Sequence, residues 1–192
     1  MTNAILVPGR PDEEEYYDQT LPTNSNNHWF PWLSQQLMVK DILTVSVEMP
    51  RPFSPRYGVW CKEFERYDIT SETILVGHSC GGGFLVRWLS EHTDVMVGKV
   101  VLVAPWLNPD NNPSSDTTDF FEFNIDRSIA ARCKSLSLMY STDDFDVIIQ
   151  SVNIFRQSID NVKIIELEGK GHFCIEDLGT VEFPELLAEL LS

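Results

Sequence analysis

Short apolar runs alternating with helix-like segments predict an α/β fold, a mainly parallel six-stranded sheet with helices on both faces. Two further observations agree. At 192 residues and 43% hydrophobic side chains, the chain suits a single domain, residues 1–192, with a substantial core. Glycines and acids fall just after the apolar runs, at the carboxyl ends of the expected strands, where parallel sheets gather their active groups.

Each element follows from its own pattern. Ala4-Ile5-Leu6-Val7 is a buried-strand run that stops at Pro8-Gly9. Trp29, Phe30, Leu33 and Leu37 recur at three-to-four spacing, as one face of a helix does. Leu43, Val45 and Val47 alternate as a strand ended by Pro50 and Pro52, and Trp60, Phe64 and Tyr67 fit the next helix. Thr73 to Val76 is a strand, followed by a helix with Phe84, Leu85, Trp88 and Leu89 on one face. Val100 to Ala104 is the most apolar strand. Residues 107–126 read as a long polar loop with a short turn at Phe120–Phe123. A strand at Leu136–Tyr140, a helix at Val147–Ile159, a strand at Val162–Leu167 and a helix near Pro184–Leu191 complete the chain, Pro184 being acceptable in a first helical turn.

Twenty-nine acidic against 14 basic residues leave a formal net charge of −15. Such a surface repels phosphate backbones and anionic membranes, which argues against a nucleic-acid or membrane partner. No apolar run approaches the roughly 20 residues needed to span a bilayer. The first residues lack the basic region and long apolar stretch of a signal peptide. Cys61, Cys80, Cys133 and Cys174 are widely spaced without a CxxC pair, so reduced thiols in a cytoplasmic protein are expected. Four histidines and four cysteines at no ligand spacing give no expectation of a metal.

Gly77-His78-Ser79-Cys80-Gly81 matches G-x-S-x-G between an expected strand and an expected helix. The chemistry needs that spacing because the turn is too tight for side chains: the glycines let the serine be held strained, its hydroxyl raised above the sheet edge. A phosphate loop would want Lys-Ser or Lys-Thr after the glycines, and neither is there. Ser79 is the candidate nucleophile. Its base must follow the last strand, and His172 does, in Gly171-His172-Phe173. His28 opens a helix, His78 lies inside the elbow and His92 ends a helix on the opposite rim, leaving His172 at the right edge. Asp143, Asp144 and Asp146 compete to orient its ring. Asp143 and Asp146 suit helix-capping and first-turn roles, whereas Asp144, with Val147 three residues on, has the spacing of an acid loop. The Cys80 and Arg10 backbone N–H groups are the expected oxyanion donors. The Arg10 side chain either faces substrate or is solvated.

Val7-Pro8-Gly9, His28-Trp29-Phe30-Pro31-Trp32-Leu33, Met49-Pro50, Gly77-His78-Ser79, Ser141-Thr142-Asp143-Asp144 and Gly171-His172-Phe173 together resemble the small serine hydrolases of the retinoblastoma-binding protein 9 type, within the α/β-hydrolase superfamily. The resemblance spans nearly the whole chain. It implies a minimal version of that fold without a separate cap domain, and Asp144 as the triad acid. Two stretches depart from it: an insertion from Asp12 to Asn27, and the long acidic loop 107–126. Both lie near the expected active edge, so the substrate is not implied.

The sequence therefore predicts a cofactor-free hydrolase acting on a small-molecule acyl substrate, an ester or less readily an amide. The rival expectation is a protein-binding module that keeps the fold with weak or no catalysis, its partner not indicated. Acyl transfer or C–C bond hydrolysis could use the same machinery.

Overall fold

The computed structural model describes residues 2–107 and 120–192. Its strands are β1 (Asn3–Val7), β2 (Leu43–Ser46), β3 (Ile74–His78), β4 (Val97–Val103), β5 (Cys133–Ser141) and β6 (Lys163–Leu167). They form one sheet in the order β2-β1-β3-β4-β5-β6. All five pairings are parallel, so the expected "mainly parallel" sheet is wholly so. Consecutive residues Ala4 to Val7 and Val100 to Val103 are all buried, which requires cover on both sheet faces.

The helices are α1 (Glu13–Tyr17), α2 (Phe30–Met38), α3 (Tyr57–Phe64), α4 (Cys80–Glu91), α5 (Asp146–Ser158), α6 (Ile175–Leu178) and α7 (Pro184–Leu191). Pro31 and Pro184 sit in the first turns of α2 and α7, where their missing N–H costs nothing. Helices α1 and α6, of five and four residues, are too short to show a period and were not expected. Tyr67 lies past the end of α3, and Thr73 lies just before β3. Lys99 docks α7 onto the sheet by donating to the carbonyls of Glu189, Leu190 and Ser192.

Helices α3 and α4 pack through aromatic rings. Phe84 lies 5.5 Å from Trp60 and 5.3 Å from Phe64, and Phe120 lies 5.0 Å from Trp60. Phe121 packs edge-on to Trp106 at 5.1 Å, while the Arg87 guanidinium covers the Tyr57 ring at 3.7 Å and lies 5.8 Å from Phe123. The aromatics after the 108–119 stretch thus seal the α3–α4 layer. Of the expected acidic loop, Asp110, Asp116 and Asp119 lie outside the described residues. Asp126 pairs with Arg132, whose guanidinium also caps the C-terminal carbonyls of α4 at Leu89 and His92. That is the far end of the helix from Ser79.

The topology fixes where chemistry can occur. From β1 the chain crosses to β2 at one edge, then returns past β1 to β3 and proceeds the other way. The β1–β3 junction is therefore the switch point, and the loops leaving the two strands diverge to open a crevice there. Val7 and Gly77 are in register at those carboxyl ends.

Candidate active site

Ser79 occupies the crevice, immediately after β3. Its backbone has φ 53° and ψ −121°, a sparsely populated conformation that costs on the order of 1–3 kcal/mol and persists only where its surroundings enforce it. A β-carbon on Gly81 would stand 2.2 Å from the Val7 carbonyl oxygen, and one on Gly77 would stand 2.7 Å from that of Gly81. Both glycines of the motif are thus demanded by backbone crowding. The Ser79 carbonyl accepts N–H bonds from Gly82, Gly83 and Trp106, tying the turn to α4 and to the chain after β4.

His172 reaches the serine from the turn after β6. Its Nε2 is 2.9 Å from Ser79 Oγ, and its Nδ1 is 3.0 and 3.1 Å from the two carboxylate oxygens of Asp144. The Asp144 side chain is fully buried and the His172 side chain 14% exposed. Asp144 Oδ1 also accepts the Phe145 N–H at 2.7 Å. The structure thus brings together Ser79, Asp144 and His172, in chain order Ser, Asp, His. Asp146 starts α5, in the first-turn role expected of it.

Asp143 does something the sequence did not suggest. Rather than capping a helix, it accepts the Ser141 hydroxyl and the backbone N–H groups of Lys170 and Gly171. The Ser141 hydroxyl chiefly holds its carboxyl below the usual range. Asp177, the third residue of α6, accepts the His172 N–H at 2.9 Å and the Cys174 N–H at 3.3 Å. A β-carbon on Gly171 would meet the Asp177 carboxyl carbon at 2.6 Å, so that glycine makes room for the clamp. Trp29 Nε1 donates to the Phe173 carbonyl at 3.1 Å.

His28 belongs to the same edge, contrary to the reading that left His172 alone there. Its Nδ1 accepts the Ile175 N–H at 3.2 Å, a contact across 147 positions. Burial lowers its pKa, partly opposed by Glu176 and Glu15. A histidine just before the expected helix Trp29–Leu37 was the one available signal; its partner had none. His92 stacks on Trp88 and faces Glu65, at the opposite rim as expected.

The cleft over Ser79 measures about 600 Å³ and is lined by Arg10, Glu15, Pro22, His28, His172 and Glu176 among others. The inserted residues 12–27 therefore do wall the site. A second cavity of about 370 Å³ shares Pro11, Glu15, Pro22, Asn24 and Asn27 with it and adds Tyr16, Tyr17, Thr23 and Glu48. Gly9 follows β1 so closely that a β-carbon there would lie 3.0 Å from that of Ser79, which brings the backbone approaching Arg10 beside the nucleophile. The Arg10 side chain is anchored at the cleft, its Nε donating to the Phe53 carbonyl at 2.8 Å.

The fold also brings His28 to Cys174 and Glu176, the donor atoms of the three lying within 4.8 Å of one another. As a metal centre the set is poor. His28 Nδ1 is occupied by the Ile175 N–H, and burial with nearby Asp177, Glu176 and Glu15 pushes the Cys174 thiol up to about 12. All four cysteines are unbridged. No helix among the described residues is long and apolar enough to cross a membrane.

The chain is similar to known proteins over most of its length. The chain is 30% identical over 175 residues to YdeN of Bacillus subtilis (strain 168), whose name assigns it a provisional hydrolase activity; the match covers 88% of this chain and 90% of that one. The crystal structure of the ydeN gene product superposes with a TM-score of 0.79 at 25% identity, over 99% of this chain and 96% of that one. Est1E from Butyrivibrio proteoclasticus, at 12% identity and a TM-score of 0.68 over 99% and 86%, shares the fold. These similarities point to the broad α/β-hydrolase class, and do not single out the retinoblastoma-binding protein 9 type. Residues 21–191 match the family described as serine hydrolase, and the chain belongs to that family.

Proposed function

We propose that this serine hydrolase cleaves carboxylic esters, and amides less readily, through an acyl-enzyme on Ser79, His172 and Asp144. The observation that carries the reading is the unbroken run of hydrogen bonds from Ser79 Oγ through the His172 ring to buried Asp144. In the first half-reaction Ser79 Oγ attacks the substrate carbonyl carbon while His172 Nε2 takes its proton. Asp144 accepts the Nδ1–H, fixes the ring tautomer and stabilises the imidazolium. The negative charge forming on the carbonyl oxygen is met by the N–H groups of Cys80 and Arg10. Cys80 opens α4, where a backbone N–H lacks an intrahelical acceptor. His172 then returns the proton to the leaving alkoxide. In the second half it deprotonates water, which attacks the acyl carbon, and it returns that proton to Ser79 Oγ as the acyl–Oγ bond breaks. Every proton in this cycle moves through His172 Nε2, so no cofactor is required.

A panel of p-nitrophenyl esters of increasing acyl length, run beside aminoacyl amides, tests the reading. Turnover of at least one ester is expected, with Ser79→Ala folded but slower by several orders of magnitude. Undiminished turnover in that variant would remove Ser79 from the mechanism, and a panel with no turnover would favour a binding role.

A further inference from the structure

The elbow contains a histidine, His78, to which neither the motif nor the proposed cycle gives a task. We propose that His78 is a positioning residue that fixes His172 against Ser79, by donating its ring N–H to the His172 backbone carbonyl. The inference rests on the Ser79–His172–Asp144 reading above.

The Nε2 of His78 lies 2.8 Å from the His172 carbonyl oxygen. A carbonyl only accepts, so Nε2 carries the proton and the tautomer is set. His78 is covalently adjacent to Ser79, and the acceptor is the backbone of His172 itself. One peptide link and one hydrogen bond therefore join nucleophile and base. The other direct tie between these two residues is the reacting Oγ–Nε2 contact. The strut spans two strained points, Ser79 at φ 53° and Phe173 at φ 61°, neither of which would hold its conformation unsupported.

Its surroundings leave the His78 ring little freedom. It is 3% exposed, with the rings of Trp29 at 5.7 Å, Phe30 at 6.3 Å, His28 at 6.4 Å and His172 at 5.0 Å. Burial, reinforced by the His172 and His28 rings, holds its pKa well below the ordinary histidine value. It thus remains a neutral donor and does not compete for the proton when His172 becomes imidazolium.

The test compares His78→Gln, whose amide N–H reaches about as far as the ring Nε2, with His78→Leu, which fills space but donates nothing. Two readouts are used: the low-field proton resonance of His172 Nδ1–H, and the rate of fluorophosphonate labelling. Loss of the strut should broaden the resonance in His78→Leu and slow labelling about tenfold to 100-fold, since misplacement by about 1 Å can cost 10²-fold. On any ester turned over, kcat should fall with KM little changed, and His78→Gln should recover most of both signals. If His78→Leu does not fold, His78→Asn, polar but too short to reach the carbonyl, takes its place. A folded variant lacking the donor that keeps the resonance and the wild-type rate overturns the proposal. So does a glutamine variant as impaired as the leucine. The resonance reports on His78 without turnover, whereas a wild-type protein that neither labels nor cleaves esters would refute the hydrolase reading alone.

Discussion

Two segments line the cleft and are held in different ways. Between Lys170 and Ile175 the backbone is gripped by side chains, most of them from distant elements: Asp143 on the N–H groups of Lys170 and Gly171, His78 and Trp29 on two carbonyls, His28 on Ile175, and, from the adjoining α6, Asp177 on the N–H groups of His172 and Cys174. Across the cleft, α1 has no buried residue. The segment 12–27 is tied down through Asn24 to the Gly9 carbonyl, the Ser25 N–H to Glu48, and the rings of Tyr16 and Tyr17 against Phe53. Groups that must meet within a fraction of an ångström are over-determined, while the wall that meets substrate is lightly anchored. Changes in the turn should therefore act on kcat, and changes in the wall on KM and substrate preference.

The largest effect is expected at the acid. Asp144→Asn should lower kcat by about 10⁴-fold, because an amide favours the wrong imidazole tautomer and cannot stabilise the imidazolium. Asp143→Asn keeps an acceptor for the Lys170 and Gly171 N–H groups and should stay within about tenfold. Steady-state kinetics of the two variants side by side decide which aspartate serves the ring. A crippled Asp143 variant beside a healthy Asp144 one would reverse the assignment.

Next in size is the clamp on the turn itself. Asp177→Ala strips the partner from the His172 and Cys174 N–H groups and should reduce kcat about tenfold to 100-fold with KM nearly unchanged. A rise in KM at constant kcat would mean that the turn is held well enough without it.

The buried histidines make the same turn sensitive to acid. His28 and His78 have folded pKa values below the unfolded value, both chiefly through burial. Below about pH 6.5 the unfolded chain therefore binds protons that the folded chain does not, so stability falls with falling pH. Each such group contributes at most about 1.4 kcal/mol per pH unit. Thermal melts should show Tm dropping between pH 7 and 5, with a shallower drop in His78→Gln. A Tm independent of pH in that window would contradict neutral burial.

The smallest effect belongs to the wall. Glu15 and Glu176 both line the cleft, and the Arg10 side chain is engaged with the Phe53 carbonyl. Neutral or cationic esters should have a kcat/KM a few-fold higher than matched anionic ones at low salt. The gap should close as ionic strength rises and the Debye length shrinks from about 30 Å to below 10 Å. Equal rates for an isosteric pair at about 10 mM salt would show that these carboxylates do not act on the substrate.

What was legible in the sequence was what local spacing encodes. All six strands, the elbow and the two partners of Ser79 stand at strand ends, where apolar runs give way to glycine or acid within a few residues. The role of His28 was not legible, because it serves the Ile175 N–H across 147 positions. Asp177 acts locally, three and five residues after the N–H groups it accepts, but in a four-residue helix that shows no period. Asp143 was read as a helix cap since an acid before a helix ordinarily is one, and only the return of β6 beside β5 brings Lys170 and Gly171 to it. Phe120 falls in an expected turn of a polar loop, where nothing local signals that the fold buries it against Trp60 and Phe84.

The central claim is that His172 activates Ser79. It is tested most directly by labelling the wild-type protein and His172→Ala with a fluorophosphonate and mapping the adduct by peptide mass. The account predicts a single adduct on the peptide carrying Ser79 in the wild type, and labelling slowed by several orders of magnitude in the folded variant. An adduct on another residue, or equal labelling without His172, would contradict it.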